Sequence, residues 1–317
     1  MAYGIRGHLG IAKETSWGTP VAATDYIKLL NEGLATGFDR YDITNIHGSV
    51  AEPDDMQGVT RVEGDIEFAG HPVSVGYMLK SAFVQSSVQS IGANLWKTTF
   101  ATPSADFADG SCAGTPYTLE IYRDVTSSMR YYGCAVNRLV MGFAPNQDVR
   151  FTAGFIAKGG SLIAKTTPTY PSSPAKPFSF ESVSLSIAGA GTTRIEALTV
   201  TIENQLEGIP ALNLTQDIAK ILRRGPQMIT VGGTMDFPDV TQYLDFVNQT
   251  EVALAVSAFR ANSFQLTVEI PRMVYTAFPV SLRGRERITV DFTGKGYYHT
   301  GSGNAIKVAL TTVKSDY

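Results

Sequence analysis

The chain has 317 residues, 44% of them apolar and 17% charged, with a net charge of −3. That describes a packed globular protein long enough for two ordinary domains, and it excludes a basic glove for nucleic acid. Two cysteines, Cys112 and Cys134, are too few for a disulfide framework and read as thiols of a reducing compartment. No basic-then-apolar leader is expected, and no run approaches the roughly 20 apolar residues of a membrane span.

Thirty glycines, fifteen prolines and many Thr, Val and Ser favour strands and turns. Residues 1–26 read as irregular, with the turn-rich Thr15-Ser16-Trp17-Gly18-Thr19-Pro20, and Tyr26 to Leu30 reads as the first strand. Residues 44–60, with Gly48, Pro53, Asp54, Asp55 and Gly58, read as a long loop or arm. A strand then runs through Val62-Glu63-Gly64-Asp65-Ile66-Glu67-Phe68 into a helix over 72–84 that Pro72 opens. Residues 85–116 read as a second long loop with a short strand near Trp96–Phe100. Strands follow at Tyr117–Val125, Asn137–Phe143 and Asp148–Ala157.

Residues 165–177, K-T-T-P-T-Y-P-S-S-P-A-K-P, mark the clearest boundary. Their proline density predicts an extended, semi-rigid tether that holds two halves at a set distance. Beyond it, Glu181–Ile187 and Leu198–Glu203 alternate cleanly, each with one wet and one packed face. Residues 204–226 read as a loop with a short helix at Thr215–Leu222. Strands are expected at Glu251–Phe259, Phe264–Ile270, Ile288–Thr293 and Ile306–Thr312.

The strand–proline–helix phrase recurs at Val231–Phe246, with a helix over 239–249: Gly64 matches Gly233, Phe68 matches Phe237, Pro72 matches Pro238 and Tyr77 matches Tyr243. Weaker echoes follow in the same order. Thr118–Ile121 returns as Thr267–Ile270, Val149/Phe151/Thr152 as Val290/Phe292/Thr293, and Ile27–Leu29 near Ile195–Val200. Together they predict an internal duplication.

No catalytic constellation emerges. His8, His47, His71 and His299 stand in no metal-ligand spacing, there is no nucleophile elbow, phosphate loop or C-x-x-C, and Asp106, Asp109 and Gly110 do not space a calcium loop. Asn213 and Asn248 begin glycosylation sequons that no secretion signal supports. The basic cluster Arg283-Gly284-Arg285-Glu286-Arg287 reads as a solvated turn, or as a partner for acids such as Asp54 and Asp55 on a neighbouring subunit. Duplicated β-rich halves with long loops and no active site point to assembly through sheet edges, closing into a ring when the rotation allows.

The opening Gly10–Ile27, G-I-A-K-E-T-S-W-G-T-P-V-A-A-T-D-Y-I, resembles the start of tail tube proteins of long-tailed phages, and the cassette resembles their fold. The resemblance implies a mainly β chain of two similar tail-tube-type domains. Each is a β-sandwich or partial barrel of two packed sheets with a flanking α-helix: 1–164, a linker at 165–177, then 178–317. It implies a structural virion protein of the tail, made in the host cytoplasm, with neither enzymatic activity nor a cofactor. As the major tail tube subunit it would form trimeric, pseudo-hexameric rings stacked into a conduit for DNA ejection, or hexameric rings if the doubling is illusory. The implied partners are other copies of itself, tail-tip and tail-terminator proteins, and a tape measure protein inside the lumen; DNA passes without sequence-specific binding, and no membrane is involved.

A conduit calls for a polar, neutral-to-acidic lining, because a basic one would hold phosphates. Ser182, Ser184, Ser186, Thr199, Thr201 and Glu203, and the acidic row Glu63, Asp65 and Glu67, are the faces expected to line the lumen. Residues 44–60 (Glu52, Asp54, Asp55) and 204–226 (Arg223, Arg224) are expected to reach the adjacent ring. A tail completion, tail-tip or hub protein of related fold, or a carbohydrate-binding β-module using Tyr297, Tyr298 and His299, are the alternatives.

Overall fold

The structure, a computed structural model, describes residues 3–45, 48, 50–51, 54–83, 85–92, 94–102, 112–170, 176–260, 264–281 and 287–317. The chain folds in order through β1 (His8–Lys13), β2 (Asp25–Ile27), β3 (Asn31–Glu32), β4 (Ala35–Asp42) and β5 (Asp55–Ala69), then helix α1 (Val75–Ala82). There follow β6 (Gln85–Gly92), β7 (Leu95–Ala101), β8 (Tyr117–Tyr122), β9 (Ser127–Phe143), β10 (Arg150–Ala157) and β11 (Gly159–Ala164). After the proline-rich segment come β12 (Val183–Ile187), β13 (Ala190–Thr192), β14 (Ile195–Glu203), β15 (Leu206–Ile209), β16 (Lys220–Arg223) and β17 (Met228–Asp236), then helix α2 (Thr241–Val247). The chain closes with β18 (Val252–Arg260), β19 (Phe264–Ala277), β20 (Thr289–Gly296) and β21 (Lys307–Thr312). It is mainly β, as expected.

Two long strands organise the layers. The N-terminal part of β9 lies between β8 and β11, and its C-terminal part between β10 and β14. The switch falls at Gly133, whose φ of 65° lets the strand turn from one sheet into the next. β19 repeats this: its first half lies between β18 and β21, and its second half joins β20.

One layer is therefore a continuous antiparallel sheet in the order β4-β5-β10-β9-β14-β17-β20-β19. The other layer holds β2-β1-β8-β9-β11 and β13-β12-β18-β19-β21. Within each layer the second block repeats the pairing order of the first. The first half adds the β6–β7 hairpin, which pairs across to β21, and the second half adds β15–β16.

The tether does not hold the halves apart. β9 pairs with β14, β7 pairs with β21, and one apolar core runs from Leu9, Ile66 and Phe151 through to Val231, Val268 and Phe292. Phe178, just past the proline-rich segment, is fully buried, and its backbone bonds to Gly70 and Val149 of the first half. The described end of that segment also lies on the first half: Thr166 meets His8 at 3.2 Å, and Tyr170 packs edge-on against Tyr26. A stiff tether limits reach but does not oppose contact, and unpaired strand edges with apolar faces gain by meeting.

Other expectations shift in detail. β1, β4, β6, β11, β13 and the β15–β16 hairpin are strands where the sequence pattern suggests loops or nothing. The helices start three residues after Pro72 and Pro238, so neither proline is a first helical residue. α2 is instead anchored by Asp239, which accepts the Thr241 N–H at 2.9 Å and pairs with Arg194 at 2.8 Å. Those contacts, the Thr241 N–H foremost, hold its carboxyl down to about 2.

Of the matched phrases, the cassette falls on strands and helices in equivalent places, and the Phe151 and Phe292 phrases fall on the equivalent strands β10 and β20 but out of register. Thr118–Ile121 lies on β8, whose counterpart by pairing is β18, whereas Thr267–Ile270 lies on β19. Ile27 ends β2, whose counterpart is β13, not β14. Phe155 stands opposite Gly64 and Phe292 opposite Gly233, so with the glycines matched Phe292 answers to Phe155 rather than Phe151.

Both cassette glycines sit where a neighbouring strand comes too close for a side chain. A Cβ on Gly64 would lie 2.3 Å from the Gly33 carbonyl oxygen, and one on Gly233 would lie 2.6 Å from that of Ala197. Gly64→Ala is therefore expected to cost about 3 kcal/mol or more, because backbone atoms must give way. Denaturant unfolding with an unchanged slope checks this; a loss under about 0.5 kcal/mol would mean the β3–β4 edge yields freely.

Candidate functional site

The exposed face of the eight-stranded layer carries polar side chains in rows across its strands. Along β5, Val62, Ile66 and Phe68 are buried, while Glu63, Asp65 and Glu67 turn to the other side. Along β14, Leu198, Val200 and Ile202 are buried, and Thr199, Thr201 and Glu203 alternate with them. Strand register carries this face from one row to the other. Glu67 stands beside Thr152, Thr152 beside Val140, Val140 beside Thr201, Thr201 beside Thr230, and Thr230 beside Lys295.

The structure thus brings six of the expected lining residues onto one face. Ser184 and Ser186 do not join them, because β12 belongs to the other layer and points Val183, Leu185 and Ile187 at the shared core. Ser182 precedes that strand in a short 3-10 turn. With the core between the layers, the serine row faces away from the Glu and Thr rows.

Charge on the organised face is mixed. Arg150 bonds Glu67 at 3.2 Å, Arg138 stands opposite Glu203, and Thr234 donates to Asp291 at 2.7 Å. Glu63, Asp65, Glu67, Glu203, Asp236 and Asp291 share this side with Arg61, Arg138, Arg150, Arg272 and Lys295, a near-balanced mixture. Such a face carries no excess of positive charge with which to hold phosphate.

The two expected arms behave differently. β4 and the first part of β5 form a two-stranded ribbon in which nearly all of β4 is exposed, with Phe38, Tyr41 and Met56 in water, while Val59 and Thr60 at its base are partly or fully buried. Residues 55–60 are therefore strand, not loop. The ribbon is laced by Arg40–Asp55 and by Arg61–Asp39 at 2.8 Å, so Asp55 is committed within the chain. Asp54 closes its tip, accepting the Ile43 N–H through its carbonyl at 2.9 Å. Glu52 lies outside the described residues, as do Asp106, Asp109, His47 and residues 283–286 of the basic cluster. Arg287 pairs with Glu196 of its own chain.

The base of residues 204–226 folds onto the first half, while the tip, 209–216, stays exposed, Leu212 and Leu214 fully so. The hairpin β15–β16 packs Leu206, Ile218 and Ile221 against Ala113, Ala135 and Ile156 of the first half. Gln216 accepts the Thr60 N–H at 2.8 Å, and Arg223 donates to Asn204 at 3.0 Å. Arg224 lies 3.9 Å from Glu207. The expected helix at 215–222 is absent because these residues complete a strand pair and a small apolar cluster.

The opening phrase proves to be a corner clamp. Glu14 is buried on leaving β1, and its carboxylate accepts the Gly133 N–H at 2.7 Å, the Thr118 hydroxyl at 2.8 Å and the Gly18 N–H at 2.7 Å. Trp17 donates its indole N–H to the Gly133 carbonyl at 3.2 Å, and Lys158 lies over its ring at 4.9 Å. These contacts converge on the residue where β9 changes sheets. Tyr297, proposed as part of a sugar platform, is instead flanked by Arg272 and Lys295, each 5.6 Å from its ring centre.

Edges complete the site. Among the described residues β4 pairs only with β5, and β19 beyond Met273 pairs only with β20. No described helix is long and apolar enough to cross a membrane. No curated protein matches the chain. The family model described as phage tail tube protein matches residues 4–303. The chain belongs to the phage tail tube protein family, and its role is that of a structural component of the virion tail.

Proposed function

We propose that this protein is the major tail tube subunit, that 1–164 and 178–317 are two tube domains joined through 165–177, and that three chains close a pseudo-hexameric ring. One observation carries the reading: β9, the last inner strand of the first half, pairs with β14, the first of the second. The same step, taken from the second half to the next chain, joins β19 of one copy to β4 of another. β4 and the end of β19 are the two edges left open for it.

Three copies of the eight-stranded layer would make a barrel of about 24 strands, beyond the 16–18 that already leave a water channel. The Glu63/Asp65/Glu67 and Thr199/Thr201/Glu203 rows line the bore in this reading, and the serine row looks outward. Rings stack through the β4–β5 ribbon, and the bore conducts DNA on ejection after releasing a tape measure protein. Tail-tip and tail-terminator proteins meet the two ends.

Electron microscopy of the purified protein, with mass measurement of the ring, tests this. Tubes of uniform bore built from trimers are expected. A single closed ring that never lengthens would favour a tip or hub role, and six chains per ring would remove the pseudo-symmetry.

The lining has its own test. Glu63→Lys combined with Glu203→Lys should leave tube formation intact and make tubes retain duplex DNA in a salt-dependent way, shielded from nuclease. Retained DNA that nuclease digests would put this face on the outside.

A further inference from the structure

The two helices begin at equivalent points of the repeat, Val75 and Thr241, yet their surroundings differ. On α1 the positions Ser74, Tyr77, Met78 and Ser81 are all buried. Their counterparts on α2 are Val240, Tyr243, Leu244 and Val247, at helical spacing, and they are 55%, 38%, 48% and 54% exposed. The outward stripe of α2 is thus more apolar than the buried stripe of α1. An apolar stripe left in water on one copy of a repeat, and covered on the other, marks a contact made after folding.

What covers α1 identifies the partner. Part of the cover is the second half of the same chain: Tyr317 packs edge-on against Tyr77 at 5.4 Å and lies where a side chain on Gly76 would be, Lys314 reaches the Tyr77 hydroxyl, and Asn204 donates to the Ala82 carbonyl at 3.0 Å. The rest comes from the first half itself: Phe100, on β7 of the insertion between α1 and β8, packs on Phe83 at the helix end, and Tyr117 at the start of β8 packs edge-on against Tyr77. The second half has no such insertion, because only Asn248–Glu251 separate α2 from β18. α2 therefore lacks the hairpin and the tail as cover within its own chain; its stripe meets Phe278 through Tyr243 and is otherwise half-exposed.

We infer that the α2 stripe is an interchain contact, covered in the assembled ring by the first half of the next copy of this chain. This rests on the ring reading above. Strand equivalence names the covering segment. Tyr317 and Lys314 follow β21, and the residues that follow its counterpart β11 are Lys165 to Tyr170. Tyr170 is partly exposed in the single chain, and Leu162, on β11 just before this segment, is 70% exposed. The contact fills the place that the β6–β7 hairpin and the C-terminal tail fill at the seam inside the chain.

Two measurements on the full-length protein test the contact. Hydrogen exchange at 240–247 should slow when monomers form rings. Leu244→Asp with Val247→Lys should leave the monomer's melting temperature unchanged, since both side chains are exposed there, and raise the concentration needed for rings by about tenfold or more. Rings in which 240–247 still exchange freely, or a double variant that assembles like the parent, would overturn the helix contact and leave the ring intact. Wild-type protein that stays monomeric at every concentration would instead remove the ring on which the contact rests.

Discussion

Excising residues 40–57, with an Asn-Gly turn joining Asp39 to Gly58, is expected to give rings that do not lengthen. The two ends lie together, since a side chain on Gly58 would sit 3.2 Å from the Asp39 carbonyl oxygen. None of the excised residues that the structure describes is buried; the Arg40–Asp55 pair lies within the ribbon, and the Gln57 carbonyl accepts one hydrogen bond from Gln216. An isolated two-stranded ribbon is marginal in water, and this one also exposes Tyr41 and Met56. It becomes favourable when a neighbour covers it, and permanent contacts of that kind bury upwards of about 2,000 Å². The effect should therefore be loss of tubes with retention of rings and of thermal stability. Sedimentation and microscopy read the first, a melting curve the second. Tubes of normal length from the excised protein would refute the stacking role.

Glu14→Ala should have the largest effect on the chain itself, a loss of about 3–5 kcal/mol. The substitution removes a buried carboxylate and leaves the Gly133 N–H and the Thr118 hydroxyl without their acceptor at the point where β9 crosses between layers. Hydrogen bonds to a charged group are worth roughly twice neutral ones, and a buried donor left alone carries its full desolvation penalty. Glu14→Gln should fall between, because its amide oxygen can still serve two donors while its amide nitrogen meets the Gly18 N–H. Denaturant unfolding of both variants decides. A loss below about 1 kcal/mol for the alanine variant would show that water or a rearranged Trp17 replaces the carboxylate.

Residues 182–187 and 198–203 show how far the pattern alone could be taken. Alternation separated the wet from the packed face of each strand, because side chains on a strand point alternately to its two sides. It could not say that the two strands belong to different layers, so the serine row and the Thr/Glu row appeared to share a wall. The 204–226 stretch failed for a related reason. Its strands are short, and they gain their apolar partners, Ala135 and Ile156, only from the other half of the chain. Glu14 carried no signal of its own in the sequence beyond its place in a recognisable phrase; its three donors come from positions 4, 104 and 119 residues away.

The sequence by itself determined a mainly β chain, the repeated strand–helix cassette, the proline-rich punctuation, and the opening phrase through which the family could be recognised. These are local properties, written in side-chain period and turn chemistry. Tertiary structure decided which strand lies beside which: that β9 meets β14, that the base of one expected arm packs onto the first half, and that one helix is covered while the outward stripe of its twin is exposed. Register and edge pairing join residues far apart in the chain, and an alternating strand fits many partners equally well until the others are in place.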